Sequence, residues 1–229
     1  MHAPARAPQQ FTVDPREVIN LYHRCVRCLF VRVRENDERR LSNPKVDAAD
    51  KFYALASKWM ETAPGSRTWY DLAGKQFRLV SQGRRILSEP ISFPDVNIEL
   101  SFSAKSDAVI ELKDASTALV AYQVAVPVER RQKQRDLELE AEAFAVENPA
   151  DKTDAHAVLH LGSVEFLMTG SLESNTAVVL GASRLTLLAR QTKQMKDFMR
   201  VVAGILAARI APPANQYCEF CKRSATTNK

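Results

Sequence analysis

A mixed central β-sheet flanked by helices, an α/β fold, is the class this sequence predicts, and three observations predict it. Short β-branched segments fill the middle of the 229-residue chain. Helical periodicities come before, between and after them, which implies a sheet covered on its faces. Two Cys-x-x-Cys pairs stand near opposite ends of the chain, which implies a four-cysteine metal clip joining the N- and C-terminal regions.

Residues 1–12, headed by the Pro-, Ala- and Gln-rich MHAPARAPQQ, read as a flexible tail. Residues 13–223 read as one domain, and residues 224–229 as a second tail. Asp14-Pro15 is a helix start, an acidic N-cap followed by proline at the first helical position. Val18, Ile19, Leu21 and Tyr22 continue that helix to about Arg34. Asn43-Pro44 breaks the chain, and Phe52, Leu55, Ala56 and Trp59 mark one face of a second helix over Val46–Met60. Ala63-Pro64-Gly65-Ser66 is a turn. The strands are 76–80, 96–103, 107–112, 117–126 and 156–168, with Lys113-Asp114-Ala115-Ser116 as the turn of a hairpin. A charged helix spans 129–147 and ends at Asn148-Pro149. A strand over 176–181 precedes a long helix, Leu185–Ile210, closed by Pro212-Pro213.

Hydrophobic residues make up 45% of the chain and charged residues 26%, the balance of an ordinary globular protein. No apolar run approaches the roughly 18 residues of a membrane span. The N-terminus lacks the apolar core of a secretory signal, so the expected location is the cytoplasm, with no membrane partner. The net charge is +5 and the pI about 9.1. Between Arg24 and Lys45 the cations Arg24, Arg27, Arg32, Arg34, Arg39 and Arg40 outnumber Glu35, Asp37 and Glu38. Guanidinium forks match phosphate oxygens, so this stretch is a candidate nucleic-acid contact; a solvated helix face is the alternative. Arg130, Arg131, Lys133 and Arg135 open the charged helix. Lys193, Lys196 and Arg200 form a stripe on the last one. His23 is a candidate ligand or phosphate contact, and Trp59, Trp69 and Tyr70 are candidates for base stacking or core packing.

All four cysteines belong to the pairs Cys25/Cys28 and Cys218/Cys221. Each pair brings two thiolates to a metal from one turn of chain, and two pairs complete a tetrahedron. The separation, 218 − 28 = 190 residues, makes a shared metal a closure of nearly the whole chain. Disulfides, a redox pair or four unconnected thiols are the alternatives. Zinc and a [4Fe–4S] cluster both accept four thiolates. Zinc is favoured because neither pair has the crowded spacing of bacterial ferredoxins.

The ordered motifs Cys25-Val-Arg-Cys28-Leu-Phe, Ser103-Ala-Lys-Ser-Asp107-Ala-Val-Ile-Glu-Leu, Leu119-Val-Ala-Tyr-Gln-Val, Ala143-Phe-Ala-Val-Glu-Asn-Pro149 and Tyr217-Cys218-Glu-Phe-Cys221 resemble the PD-(D/E)XK nuclease superfamily. The similarity runs from about Leu21 to Arg223 and points to the Cas4- and RecB-like branch, with cysteines at both ends. It implies a restriction-endonuclease-like sheet and a Mg²⁺ site made by an Asp and a following Asp/Glu-x-Lys, in which the lysine helps activate water. Asp107 matches the first Asp. The Asp/Glu-x-Lys positions fall on Ala121 and Gln123, and the helix positions on Glu138 and Glu142. No acidic or lysine side chain lies between Thr117 and Val128, so a slip of register does not restore the motif. The expectation is a degenerate nuclease with no catalytic set beyond a residual Asp107. Its function would be a non-catalytic DNA- or RNA-binding subunit working with other protein subunits in a larger nucleoprotein assembly, such as a CRISPR effector complex or a recombination machine. The alternatives are an active nuclease that recruits Glu111, Glu138 or Glu142, and an adaptor that binds only proteins.

Overall fold

A computed structural model describes residues 7–35, 44–62, 69–72, 74–124, 132–218 and 221. Among the described residues, two sheets and five α-helices form around two large hydrophobic cores. Gln9–Val13 (β1) pairs in parallel with Ile98–Lys105 (β6), which also pairs with Arg85–Leu87 (β4) and Ile91–Phe93 (β5). The second sheet has six strands. Tyr70–Leu72 (β2), Lys75–Gln82 (β3), Ala108–Leu112 (β7) and Thr117–Val124 (β8) follow one another from one edge, and His160–Thr169 (β9) and Val178–Leu188 (β10) complete it. Neighbours are antiparallel except β8 and β9, which run parallel.

Asp14 accepts hydrogen bonds from the Arg16 and Glu17 amides and starts α1, Pro15–Arg24. The single helix expected to reach Arg34 is instead two. Cys25 is extended (φ −168°, ψ 111°) and a new helix, α2, runs from Val26 to Arg34. Cys25 thereby takes the N-cap position of α2, with Cys28 in the following turn. The expected N-terminal tail is shorter than read: Phe11 and Val13 pack into the core as part of β1, because β6 offers a parallel edge that a local reading cannot see.

Helix α3, Pro44–Thr62, buries Phe52, Ala56 and Met60, spaced by four, against one face of the six-stranded sheet. The other face meets α4, Gln132–Glu147; α5, Thr192–Ala207, packs beside α4 and on β6 of the first sheet. Strand β8 shows the division: Ala118, Val120 and Tyr122 point to the α3 side, and Leu119 and Ala121 to the α4 side. Helix α4 buries Ala141, Ala143 and Ala145, small residues that allow its close approach as it crosses between the parallel strands β8 and β9.

The long helix expected from Leu185 begins seven residues later. Leu185–Leu188 is the end of β10, held to β9 by the pairings Leu185↔Val164 and Leu188↔Leu161. The true start, Gln191, makes no side-chain cap; its amide donates to the carboxylate of Glu140 on α4, and Thr192 Oγ1 donates to the same group at 3.2 Å. An anionic cap from fifty residues away satisfies the helix end and its positive dipole, and leaves no mark in the local sequence.

Candidate functional site

Folding brings the two cysteine pairs together. Cys28 Sγ lies 3.4 Å from Cys218 and 3.6 Å from Cys221, and Cys25 lies 3.6 Å from Cys221. All four sulfurs fall within 4.8 Å of one another, and no disulfide joins them. Three of the four residues are buried. The Cys25 break between α1 and α2 aims the first pair, and Cys218 closes a turn by donating its amide to the Asn215 carbonyl at 2.9 Å. Burial pushes the Cys25 thiol up, but the backbone amides of Asn215 and Cys28, with neighbouring thiols, outweigh it and bring it down to about 7. Burial and the other sulfurs raise Cys28, and burial leads Cys221 up to about 11. Thiolates crowded this closely repel one another, and a cation among them reverses that penalty. The four sulfurs are placed so that they could hold a metal ion.

Asp107 precedes β7 and is buried. Arg16 Nη2 donates to its Oδ1 at 2.8 Å, Arg135 Nη2 to its Oδ2 at 3.0 Å, and the Tyr122 amide to Oδ2 at 2.9 Å. Arg16 Nε also donates to Glu142 Oε1 at 2.6 Å, and Arg135 Nη1 to Glu138 Oε2 at 3.1 Å. Two guanidiniums therefore sit among three carboxylates. Burial pushes Glu142 up to about 7, against the pull of Arg16 and with the help of Asp107. Its Oε2 is buried with no hydrogen-bond partner, so charge on that oxygen is unsupported. Ala121 is buried beneath α4, and Gln123 donates to Ser163 Oγ at 2.9 Å. Among the described residues, the cysteines form the one group of three or more Cys, His, Asp or Glu ligand atoms gathered within 4.8 Å.

No family model matches the chain. No curated protein matches it in sequence. It is similar in structure to SSO0001, a protein solved by crystallography, with a TM-score of 0.55 and 9% sequence identity over 98% of this chain and 87% of that one. The two share a fold.

The predicted cations divide. Arg34 donates to the Leu206 and Ala208 carbonyls and so closes the C-terminal end of α5. Arg32 pairs with Glu17 at 2.7 Å. Arg24, Arg27, Lys133, Lys193 and Lys196 are exposed. They do not make one stripe: Arg24 and Arg27 border the cysteines. Lys193, Lys196 and Arg200 lie on the flank of α5 where Arg200 approaches Asp95 at 3.7 Å. Arg39, Arg40, Arg130 and Arg131 lie outside the described residues. His23 stacks on Phe198, 6.3 Å between ring centres, and is no part of the sulfur cluster. Trp59 packs edge-on against Tyr70 and Phe166, while Trp69 lies under the Arg78 guanidinium.

The sequence reading passed over Arg16 and the cluster of Glu140, Glu147 and Arg190. Arg190 Nε donates to Glu140 at 3.1 Å and its Nη1 to Glu147 at 2.8 Å. On α4, Glu138 and Glu142 are spaced by four and face Asp107. Glu140 and Glu147 are spaced by seven and face Arg190. That double periodicity was the available signal.

Proposed function

We propose that this protein is a non-catalytic nucleic-acid-binding subunit of a larger nucleoprotein assembly, built on a PD-(D/E)XK-type fold whose metal-dependent nuclease chemistry has been lost. The observation that carries this reading is the pair of arginines on Asp107. A divalent ion needs the free lone pairs of several oxygens. Both Asp107 oxygens are engaged by cations that belong to the chain, and the strand beside them presents a methyl group at Ala121 and an amide at Gln123. Neither supplies a ligand charge or a proton donor of lysine type.

Exposed cations border this sealed site. The Ser106 amide donates to the Arg84 carbonyl at 3.2 Å and the Gly83 amide to the Asp107 carbonyl at 3.2 Å, which sets exposed Arg84 beside Asp107. Arg85 and Lys105 are exposed on the adjoining β4–β6 pair, and Lys133 on the first turn of α4. A basic border over a site without cleavage machinery favours backbone contact, which is insensitive to sequence and sensitive to salt. In the cysteine site, zinc is the metal the spacing favours. Tetrahedral bonds of about 2.3 Å place sulfurs about 3.8 Å apart, near the 3.4–3.6 Å of the three closest pairs here, all four sulfurs lying within 4.8 Å of one another. A four-iron cluster attaches each thiolate to a different iron and holds the sulfurs further apart.

The test is to purify the protein and assay it with labelled DNA and RNA in Mg²⁺ and in Mn²⁺. Binding that weakens steeply with salt, without cleavage, is expected; no binding at low salt overturns the reading. Metal analysis is expected to give one zinc per chain and no visible absorption, and brown colour with bound iron overturns the zinc assignment. One observation favours a second reading, an active nuclease with relocated carboxylates: the unpartnered Oε2 of Glu142, beside Asp107. Cleavage by the wild type that disappears in Asp107→Ala would establish it.

A further inference from the structure

Tyr217 has no task in the core. It precedes Cys218 and its side chain is exposed, the whole residue to 78%. Its backbone, by contrast, is braced. The Tyr217 amide donates to Asn215 Oδ1 at 3.0 Å, and Asn215 Nδ2 donates to the Arg24 carbonyl at 3.3 Å. The cysteine site fixes the next residue. Asn215 thus ties the turn that carries Tyr217 to the α1–α2 junction, and the same side chain holds both in place. Arg24 and Arg27 are exposed at that junction, and Arg27 Nη1 reaches the Pro212 carbonyl at 3.4 Å, so it lies along the segment leading to Tyr217.

The geometry points to a stacking site for a single-stranded nucleic acid: one unpaired base on the face of Tyr217, with flanking phosphates on Arg24 and Arg27. This deepens the nucleic-acid reading above and rests on it. An aromatic face accepts any base, because every base has a π-face, and guanidiniums on the junction that Asn215 ties to this turn suit the neighbouring phosphates. A duplex keeps its base faces stacked internally, so the ring selects for an unpaired strand or a frayed end. The mount keeps the ordering cost on binding low, since the backbone of the turn is braced and the Arg27 side chain is held along the preceding segment.

The experiment uses the full chain with its metal bound. Fluorescence anisotropy is recorded with fluorescein-labelled oligothymidylate, oligouridylate and a hairpin duplex. Tyr217→Ala is expected to weaken binding of the single strands by roughly 5- to 150-fold, the range for loss of one base stack, while Tyr217→Phe binds as the wild type does. Arg24→Ala with Arg27→Ala is expected to flatten the slope of log affinity against log salt by about 1.4, two phosphates at about 0.7 each. Retained metal in each variant guards against loss of fold. A stronger response to thymidylate or to uridylate supports the site in either case. Single-strand binding by Tyr217→Ala equal to the wild type, or preference for the hairpin, overturns this site and leaves the broader function standing. Failure of the wild type to bind all three probes at low salt overturns both.

Discussion

Glu142 is a carboxylate placed where its charge is poorly supported. Buried on the inner face of α4, with one oxygen on Arg16 and the other without a partner, it holds its proton up to about 7 in the folded chain. Unfolded, a glutamate releases its proton near 4.3, to order of magnitude. Between those values the native state binds more protons than the unfolded one. Its contribution to stability is therefore full below the lower value and is lost as pH rises through the upper one. Urea unfolding at a series of pH values is expected to show this fall, and Glu142→Gln, which keeps an acceptor for Arg16 and cannot ionise, is expected to remove it. An unchanged slope in the variant would mean that Glu142 is charged throughout. Asp107 shows the other outcome for a buried carboxylate: two guanidiniums and an amide meet its oxygens. Asp107 could be picked out from the sequence because it sits in a motif. Arg16 could not, because nothing at the second position of a helix tells that its side chain reaches residues 91 and 126 positions further on.

Elements whose signals are local were legible in the sequence. The Asp14-Pro15 start, the turn at Lys113–Ser116 and the apolar run read as a strand over 117–126 each state their structure within a few residues; the first two appear where expected, and the third as a strand over Thr117–Val124 among the described residues. Elements decided by a distant neighbour were not. Strand β1 exists because β6 pairs with it, Leu185–Leu188 extends a strand because β9 does, and α5 starts where Glu140 caps it. The β9–β10 pair holds a further constraint of this kind. Gly162 faces β10 so closely that a Cβ there would run into the Thr186 carbonyl oxygen. Gly162→Ala is accordingly expected to destabilise the fold by about 1–3 kcal/mol, the usual range for overpacking. A denaturant midpoint equal to the wild type would show that β10 can move aside. In the same assay Gly204→Ala, on α5 with open space around its Cβ position, is expected to be neutral or stabilising.

Over the whole molecule, the cysteine site ties the α1–α2 junction to the segment after α5, while α4 is pinned by Arg16 of α1 on Glu142, by its own Arg135 on Asp107 and by Arg190 on Glu140 and Glu147. If metal is the link, its removal releases a closure spanning most of the chain. Cys28→Ser or Cys218→Ser is expected to lose the metal and to lower the melting temperature, and a chelator is expected to do the same to the wild type while leaving Cys28→Ser unaffected. Equal melting temperatures with and without chelator would show that the sulfurs are packed together without a metal. The distance along the chain between the pairs also has a consequence for biosynthesis. A ribosome adding roughly 5–20 residues per second takes on the order of 10–40 s to travel from Cys28 to Cys218. During that interval the nascent chain offers an incoming ion two thiols of the four, and loading must wait for the second pair. Ion capture then becomes the closing step of maturation, and polypeptides released early are left without the lock, which makes bound metal a measure of how many molecules were finished.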